Sequence, residues 1–409
     1  MSEPAGVTPD QHPDRWRMLG LLAACELLGM SLWFTGSAVG PQLQERWALS
    51  PSAVGWLTTV VQLGFVAGTA LSALLNLADV LPARALFAST ALAGAAANAA
   101  FAYAPTFGQA LVWRCLTGFC LAGVYPPAMK MAATWFRQRR GLAVGVVVGA
   151  LTVGKATPYL VHAFPGLAVT RVILVASGAA AGAGVLVWLG YRDGPYPFPA
   201  RPFSWTLVGS VIADRRWRLA TGGYLGHMAE LYAFWTWIPV FLLASAVQRA
   251  PVSAHERAAV TALSFAVIAV GAVGCVWGGL VADRVGRARL VTLAMAVSGA
   301  CALTIGVTFG ASWWLVAPIA LVWGMAVIAD SAQFSVLVTE SVAPHAVGTA
   351  LTIQTSLGFL LTTVTIQLVP ILARAAGWRW AFPVLAVGPL LGIASIRSLV
   401  RLRASHAAR

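Results

Sequence analysis

Apolar residues recur in long stretches along this chain, and short polar or basic segments separate one stretch from the next. Each stretch is roughly 20 residues long, which is enough to cross a bilayer as an α-helix. A transmembrane β-barrel would instead alternate apolar and polar positions along short strands. The pattern predicts an all-α polytopic membrane protein with twelve spans, near residues 18–39, 53–77, 84–103, 107–133, 141–163, 168–190, 219–245, 258–281, 289–309, 313–337, 347–373 and 379–399.

The composition agrees with this pattern. Hydrophobic residues make up 59% of the chain and charged residues 10%, whereas soluble domains are about 45–50% apolar. The first 16 residues carry acids and prolines without the pattern of a cleavable leader, so we expect the first span to be retained. The cysteines lie inside apolar stretches without metal-ligand spacing, so we expect no metal and no cofactor.

The predicted spans fall into two groups of six. Between them, residues 191–218 are rich in proline, glycine and arginine, which is typical of a linker with basic amphipathic character at the membrane surface. We therefore expect an N-terminal six-helix bundle at 1–190, a cytosolic linker at 191–218 and a C-terminal six-helix bundle at 219–409.

The positive charge of this chain follows its predicted topology. A formal charge of +14 would suggest a nucleic-acid partner in a soluble protein, but here the arginines lie in short loops. With the N-terminus inside, 18 Lys and Arg residues fall in cytosolic segments and six in external segments. This bias matches the positive-inside rule. It predicts a multi-pass protein of the plasma or inner membrane with both termini cytosolic and no nucleic-acid partner.

Several landmark residues recur at one fixed offset. Three pairs are each separated by 204 residues, about half of the chain: Glu26 and Glu230, Trp33 and Trp237, Asp79 and Asp283. A repeat of this length predicts two similar halves, and transporters that work by alternating access are built from such halves.

The loop between the eighth and ninth spans, Gly279 to Arg289, resembles the G-x-L-x-D-R-x-G-R signature of the major facilitator superfamily. The matching residues include Asp283, Arg284, Gly286 and Arg287. The counterpart around Asp79 keeps the acid and loses most of the rest. By resemblance, these five residues form a gate that stabilises the state closed to the cytosol, with Arg287 bridging to the opposite half. The alternative is a basic loop that only sets topology.

The fourth span and the loop after it carry a second resemblance. Arg114-x-x-x-Gly118, followed by Trp135-Phe136 and the arginines before Gly141, is similar to a stretch of organic-anion and monocarboxylate-type members. The resemblance implies a secondary transporter, generally monomeric, of twelve helices in two bundles. Drug–proton antiporters resemble G-x-x-x-G-P-x-x-G-G in span five, where this chain has Ala150 at the proline position.

Ionisable residues inside the spans are the candidates for function, because each costs about 2.5–3.5 kcal/mol at the bilayer centre. Arg114 and Lys155 fall on neighbouring spans in the outer half of the membrane. Two cations without a local acid predict an anion site, which Glu26, Trp33 and Trp237 complete as a substrate pocket. The alternatives are an Arg114–Glu26 salt bridge and a lone structural lysine. An aromatic cavity wall or lipid-interface belts are the two interpretations of Trp33, Phe34, Trp235 and Trp237.

The seventh span carries a candidate proton site. His227 and Glu230 are three residues apart and share a helix face, and burial disfavours the charged form of both. They form a candidate proton-coupling pair, with Glu26 as the symmetric candidate and Asp330 as a further one. The alternative is a buried hydrogen-bonded pair that holds helices together.

These features predict a secondary active transporter of a small organic anion, coupled to protons. Efflux of a drug or metabolite by proton antiport is the runner-up. A membrane-embedded enzyme is a remote alternative, because the chain has no metal-binding, serine-hydrolase or phosphate-loop motif, and a channel is another.

Overall fold

The computed structural model describes residues 12–136, 139–164, 166–196 and 204–407, and it contains no strand within them. Ten of the described helical segments are long and apolar enough to cross a membrane. The third predicted span corresponds to the helix Ala83–Phe101, and the first, predicted at 18–39, overlaps the helix Arg15–Met30 and the short helix Thr35–Ala38. The predicted all-α fold of twelve spans is confirmed.

The first half contains spans 1 to 6. Their helices are Arg15–Met30, Thr35–Ala38 and Gly40–Trp47 (span 1 and the loop after it), Pro51–Leu74 (span 2), Ala83–Phe101 (span 3), Phe107–Leu121 and Tyr125–Ala133 (span 4), Arg140–His162 (span 5) and Val169–Gly190 (span 6). A short helix, Leu77–Val80, lies between spans 2 and 3.

The second half contains spans 7 to 12. Their helices are Arg215–Arg249 (span 7), Ala254–Ala269 and Gly271–Val285 (span 8), Arg287–Thr304 and Ile305–Thr308 (span 9), Trp313–Ala329 and Ser331–Thr339 (span 10), Pro344–Ala346 and Val347–Ala376 (span 11), and Trp378–Ala381, Pro383–Ala386 and Val387–Ala407 (span 12).

Span 7 begins at Arg215, four residues before the predicted boundary. The Asp214 side chain fixes this start, because it accepts hydrogen bonds from the backbone N–H groups of Arg216 at 2.7 Å and Trp217 at 3.1 Å. Before it, the linker forms the helix Trp205–Ala213. Part of the predicted linker, residues 197–203, lies outside the described residues.

The two halves meet along two pairs of helices, which together form the inter-half interface. Spans 5 and 8 approach closely where span 5 has glycine: a Cβ on Gly145 would lie 3.3 Å from the Cys275 carbonyl oxygen, and one on Gly149 would lie 3.4 Å from that of Ala272. Small residues permit this approach between helix backbones. Spans 2 and 11 form the other pair.

Hydrogen bonds join spans 2 and 11 near the ends predicted to be external. The Gln367 amide donates to the Thr59 hydroxyl at 2.9 Å, and the Arg374 guanidinium donates to the Ser52 hydroxyl at 2.6 Å. These bonds hold the two halves together at that end of the interface.

Gly154 sets the distance between spans 1 and 5. A Cβ at this position would lie 2.2 Å from the Leu27 carbonyl oxygen and 2.9 Å from its Cα. Because backbone atoms cannot move aside, any side chain here would push the two spans apart. The glycine therefore lets span 5 lie directly against the turn of span 1 that carries Glu26.

We expect the substitution Gly154→Ala to lower the thermal unfolding midpoint of the purified protein, because overpacking costs about 1–3 kcal/mol. Gly141→Ala on the same helix is the matched control, since a Cβ there meets nothing within 4 Å. Thermal unfolding in detergent measures both. Equal midpoints for the two variants would contradict this account of Gly154.

Candidate functional site

Lys155 lies in span 5 at the inter-half interface, with 1% of its surface exposed. Its ammonium donates a hydrogen bond to the Tyr232 hydroxyl of span 7. Nζ lies 4.0 Å from the ring centroid of Trp33, 4.6 Å from that of Tyr232 and 5.3 Å from that of Trp235. We call Trp33, Tyr232 and Trp235 the aromatic cage. Its cation–π contacts partly replace the water that this charge has lost.

Glu26 is an acidic residue whose charge acts on Lys155. Its side chain is fully buried, and neither carboxylate oxygen has a hydrogen-bond partner among the described residues. The carboxylate interacts electrostatically with the Lys155 ammonium, although the described side chains form no contact ion pair there. The expectation of cations without a local acid is therefore wrong for Lys155, because the close packing of spans 1 and 5 brings Glu26 to its side.

Arg114 joins spans 1, 2 and 3 through hydrogen bonds from its side chain. Its guanidinium donates to the carbonyl oxygens of Leu32 at 2.8 Å, of Trp33, and of Leu57 at 3.4 Å, and to Asn98 Oδ1 at 2.9 Å. The residue is fully buried. Span 1 is non-helical from residue 31 to 34, so the carbonyls of this break need donors, and the five N–H groups of arginine supply them.

This placement differs from both expectations for Arg114. Its described partners are backbone carbonyls and an amide, whereas an anion pocket beside Lys155 or a salt bridge with Glu26 was expected. The repeat shows why: Pro318 stands at the equivalent position of the second half, and the equivalent span, span 7, is one continuous helix. Span 7 stays helical through the equivalent region, where Pro239 leaves the Trp235 carbonyl without its intrahelical donor but does not interrupt the helix.

The predicted proton residues of the second half fall into two units, a close His–Asp pair and a hydrogen-bonded glutamate. His227 Nδ1 lies 2.9 Å from Asp330 Oδ1, and both side chains are buried. Glu230 accepts hydrogen bonds from Ser298 Oγ at 2.8 Å and from Trp323 Nε1 at 2.7 Å. His227 therefore pairs with Asp330, where Glu230 was the expected partner.

These two units lie close enough to influence each other. The Asp330 and Glu230 side chains, on spans 10 and 7, interact electrostatically. The two units thus join side chains of spans 7, 9 and 10 around one imidazole and two carboxyl groups.

Trp237 lies away from the cage. Its Nε1 donates to the Ile366 carbonyl oxygen at 2.7 Å, and a Cβ on Gly55 would lie 3.0 Å from its Cζ2. It thus packs across the inter-half interface, beside the hydrogen bonds between spans 2 and 11. The repeat led to Trp237, but the cage uses Tyr232 and Trp235. Trp235 is one of the candidate cavity-wall rings, and its three-residue spacing from Tyr232 on span 7 is the signal that could have found Tyr232.

The loop after span 8 forms a charge cluster within the second half. Arg287 donates to Glu340 Oε1 at 3.0 Å, and Arg403 donates to Glu340 Oε2 at 3.1 Å. We expected Arg287 to bridge to the opposite half, whereas its described contact is with Glu340 of the same half. Gly286 has φ of 90°, which explains a glycine there.

The other predicted gating residues are Arg284, Asp283 and Asp79. The side chain of Arg284 is exposed, and the side chains of Asp79 and Asp283 lie outside the described part of the structure. The gate itself stays a prediction.

Comparison with known proteins gives one family over most of the chain. The model of the Major Facilitator Superfamily matches residues 21–366. The niacin transporter NiaP of Acinetobacter baylyi is 32% identical over 93 residues, a segment that spans 23% of this chain and only 21% of that protein.

Solved transporters share the fold. A bacterial homologue of the human lysosomal transporter Spinster, in an inward-facing and unoccupied conformation, aligns with a TM-score of 0.73 at 14% identity, over 96% of this chain and 98% of that one. The human organic anion transporter MFSD10 aligns at 0.70 and 16% identity, over 94% and 100%. The nucleoside transporter NupG aligns at 0.71 and 15% identity, over 93% and 99%.

We expect Arg114→Gln to destabilise the protein by at least about 3 kcal/mol, because several buried carbonyls lose a donor at about 1–3 kcal/mol each. Thermal unfolding in detergent measures this. The control is Arg171→Gln, an exposed arginine at the start of span 6. If both variants unfold at the same temperature while only Arg114→Gln abolishes transport, Arg114 binds substrate and its structural role is refuted.

Proposed function

We propose, from the premise that this chain belongs to the Major Facilitator Superfamily, that it transports a small organic anion together with protons. The chain is a secondary transporter with the fold of this family. We further propose that it works as a monomer in the plasma or inner membrane, with both termini in the cytosol, as its arginine distribution indicates.

Lys155 is the observation that carries the anion proposal. It is a buried cation at the interface between the halves, contacted by span 1 from one half and span 7 from the other. A solute bound at Lys155 therefore touches both halves, and it can be exposed to either side as they rock against each other. An anion is the solute that this charge attracts most strongly.

Glu26 supports proton coupling. When it is ionised, its charge balances that of Lys155, so the empty site is close to neutral. An anion that binds Lys155 would then place two negative charges beside one positive charge, which is costly in a low-dielectric site. Protonation of Glu26 removes this repulsion, so anion and proton bind together and cross together.

The second half offers another place for the proton. His227, Asp330 and Glu230 are buried and electrostatically linked, and they can take up a proton in the same cycle. We rank Glu26 first, because its charge acts on Lys155, the proposed substrate-binding cation.

The segment shared with the niacin transporter supports the choice of an organic anion. Niacin is a small carboxylic acid that is ionised at neutral pH. The other solved transporters share the fold alone with this chain, so their substrates add nothing to this choice.

Efflux of a cationic drug or metabolite by proton antiport is the second candidate. The buried Glu26 carboxylate favours it, because its oxygens have no hydrogen-bond partner among the described residues and its negative charge attracts a cation. The two functions make opposite use of Lys155: an anion transporter needs its charge, whereas a cation exporter would work as well or better without it.

Reconstituted into liposomes, the protein should accumulate radiolabelled organic anions, and an inward proton gradient should increase uptake. Lys155→Gln should reduce this uptake at least about tenfold, because the anion loses the buried counter-charge that the cage surrounds. Lys130→Gln is the control, since it removes the other lysine of the chain.

The outcome separates the two functions. Loss of anion uptake in Lys155→Gln alone supports the proposal. Unchanged anion uptake in Lys155→Gln, or proton-driven export of cationic dyes that survives the substitution, contradicts it.

A further inference from the structure

We infer that the transported anion is a planar aromatic monocarboxylate whose ring is attached directly to the carboxyl group. This inference deepens the proposed function and rests on it. Three independent features of the cage region define the substrate: stacked rings around Lys155, buried donors without acceptors, and the short distance between the charge and the rings.

Rings from both halves meet next to Lys155. The ring centroids of Phe65 and Phe359 are 4.5 Å apart, and Trp33 lies 5.2 Å from Phe65 and 5.6 Å from Phe359. Tyr232 lies 5.2 Å from Phe359. Spans 1, 2, 7 and 11 thus supply one continuous aromatic wall. Such rings stack well on a flat aromatic solute, since ring faces and edges attract each other.

Several buried donors in this region have no acceptor among the described residues. They are the indole N–H groups of Trp33 and Trp235 and the amide nitrogen of Gln62, whose amide oxygen is likewise without a partner, and all three residues have no exposed surface. Gln62 lies one helical turn from Phe65 on the same face of span 2. An indole N–H can only donate. The missing partner of each indole N–H is therefore an acceptor, and a carboxylate has two acceptor oxygens.

The distances restrict the shape of the solute. Nζ of Lys155 lies only 4.0 Å from the centroid of Trp33, so the group that binds the charge and the surface that stacks on the ring are adjacent. A carboxylate on a long flexible chain would place its ring beyond this wall. An acid such as benzoate has the carboxyl group on the ring itself, and it satisfies both contacts at once.

The cage also disfavours other classes of solute. A quaternary ammonium ligand would use the same aromatic faces, but the Lys155 ammonium already occupies them and would repel it. A branched aliphatic acid would satisfy Lys155 but would leave the aromatic wall without a flat partner.

Benzoate and cyclohexanecarboxylate test the inference. The two acids have the same charge and the same number of carbon atoms, and they differ mainly in the planarity and aromaticity of the ring. Liposomes that contain the protein are loaded with radiolabelled benzoate. Each unlabelled acid is then added outside at increasing concentration, and the exchange that it drives is measured as release of label. We expect benzoate to half-saturate exchange at a concentration about tenfold lower than cyclohexanecarboxylate.

Phe359→Leu should reduce this preference severalfold by weakening benzoate alone, because leucine keeps an apolar surface and removes the stacking ring. Phe65→Leu is the second variant, used if the first fails to give folded protein. Phe241→Leu is the matched control: this buried ring contacts Phe309 and Phe382, outside the cage. It should keep the wild-type preference.

The possible results separate this inference from the proposed function. Equal half-saturation by the two acids, or a preference unchanged in Phe359→Leu, overturns the aromatic substrate class and leaves anion transport standing. Absence of exchange with these acids and with acetate, lactate and succinate instead overturns the proposed function. A preference for benzoate that falls in Phe359→Leu and persists in Phe241→Leu supports the inference.

Discussion

A positive charge buried between two halves is the constraint on which this structure depends. Lys155 lies far from bulk water, and an isolated ammonium there would be strongly unfavourable. The surroundings compensate in three ways: three aromatic rings, the Tyr232 hydroxyl and the nearby Glu26 charge. Two of the rings and the hydroxyl belong to the opposite half, so the charge also couples the two halves.

Other features of the first half follow from this one. Gly154 brings spans 1 and 5 into backbone contact, which places Glu26 beside Lys155. The break in span 1 presents the Trp33 ring to the ammonium, and Arg114 satisfies the carbonyls that the break exposes. The second half has neither the cation nor the break. The two related halves thus carry different buried groups: a cation beside an acid in one, and an acid–histidine network in the other.

Much of the fold followed from the sequence, because span length and hydrophobicity are local properties. The two-half architecture and the family also followed, from the repeat and the loop after span 8. The partners of each charge did not follow. Helix periodicity gives the face on which Arg114 lies, but it does not give the acceptors. Two of these are carbonyls freed by a break at residues 31–34, and that stretch contains no proline or glycine from which a break could be predicted.

Part of the candidate site could also be predicted from the sequence. Lys155, Glu26 and Trp33 stood out as rare residues in apolar spans, and the structure brings these three together. Tyr232 and Phe359 did not stand out, because single aromatic residues are common in membrane spans. Their role depends on the packing of spans 7 and 11 against the first half, which no local pattern encodes.

The coupling between Lys155 and Glu26 can be measured directly by a double-mutant cycle. Thermal unfolding in detergent is recorded for Lys155→Gln, Glu26→Gln and the double variant. If the two charges compensate each other, each single substitution leaves an unbalanced buried charge, and the double variant should unfold at a temperature at or above that of either single variant. Two losses that simply add would contradict the account, because they would show that Lys155 and Glu26 stabilise the protein independently.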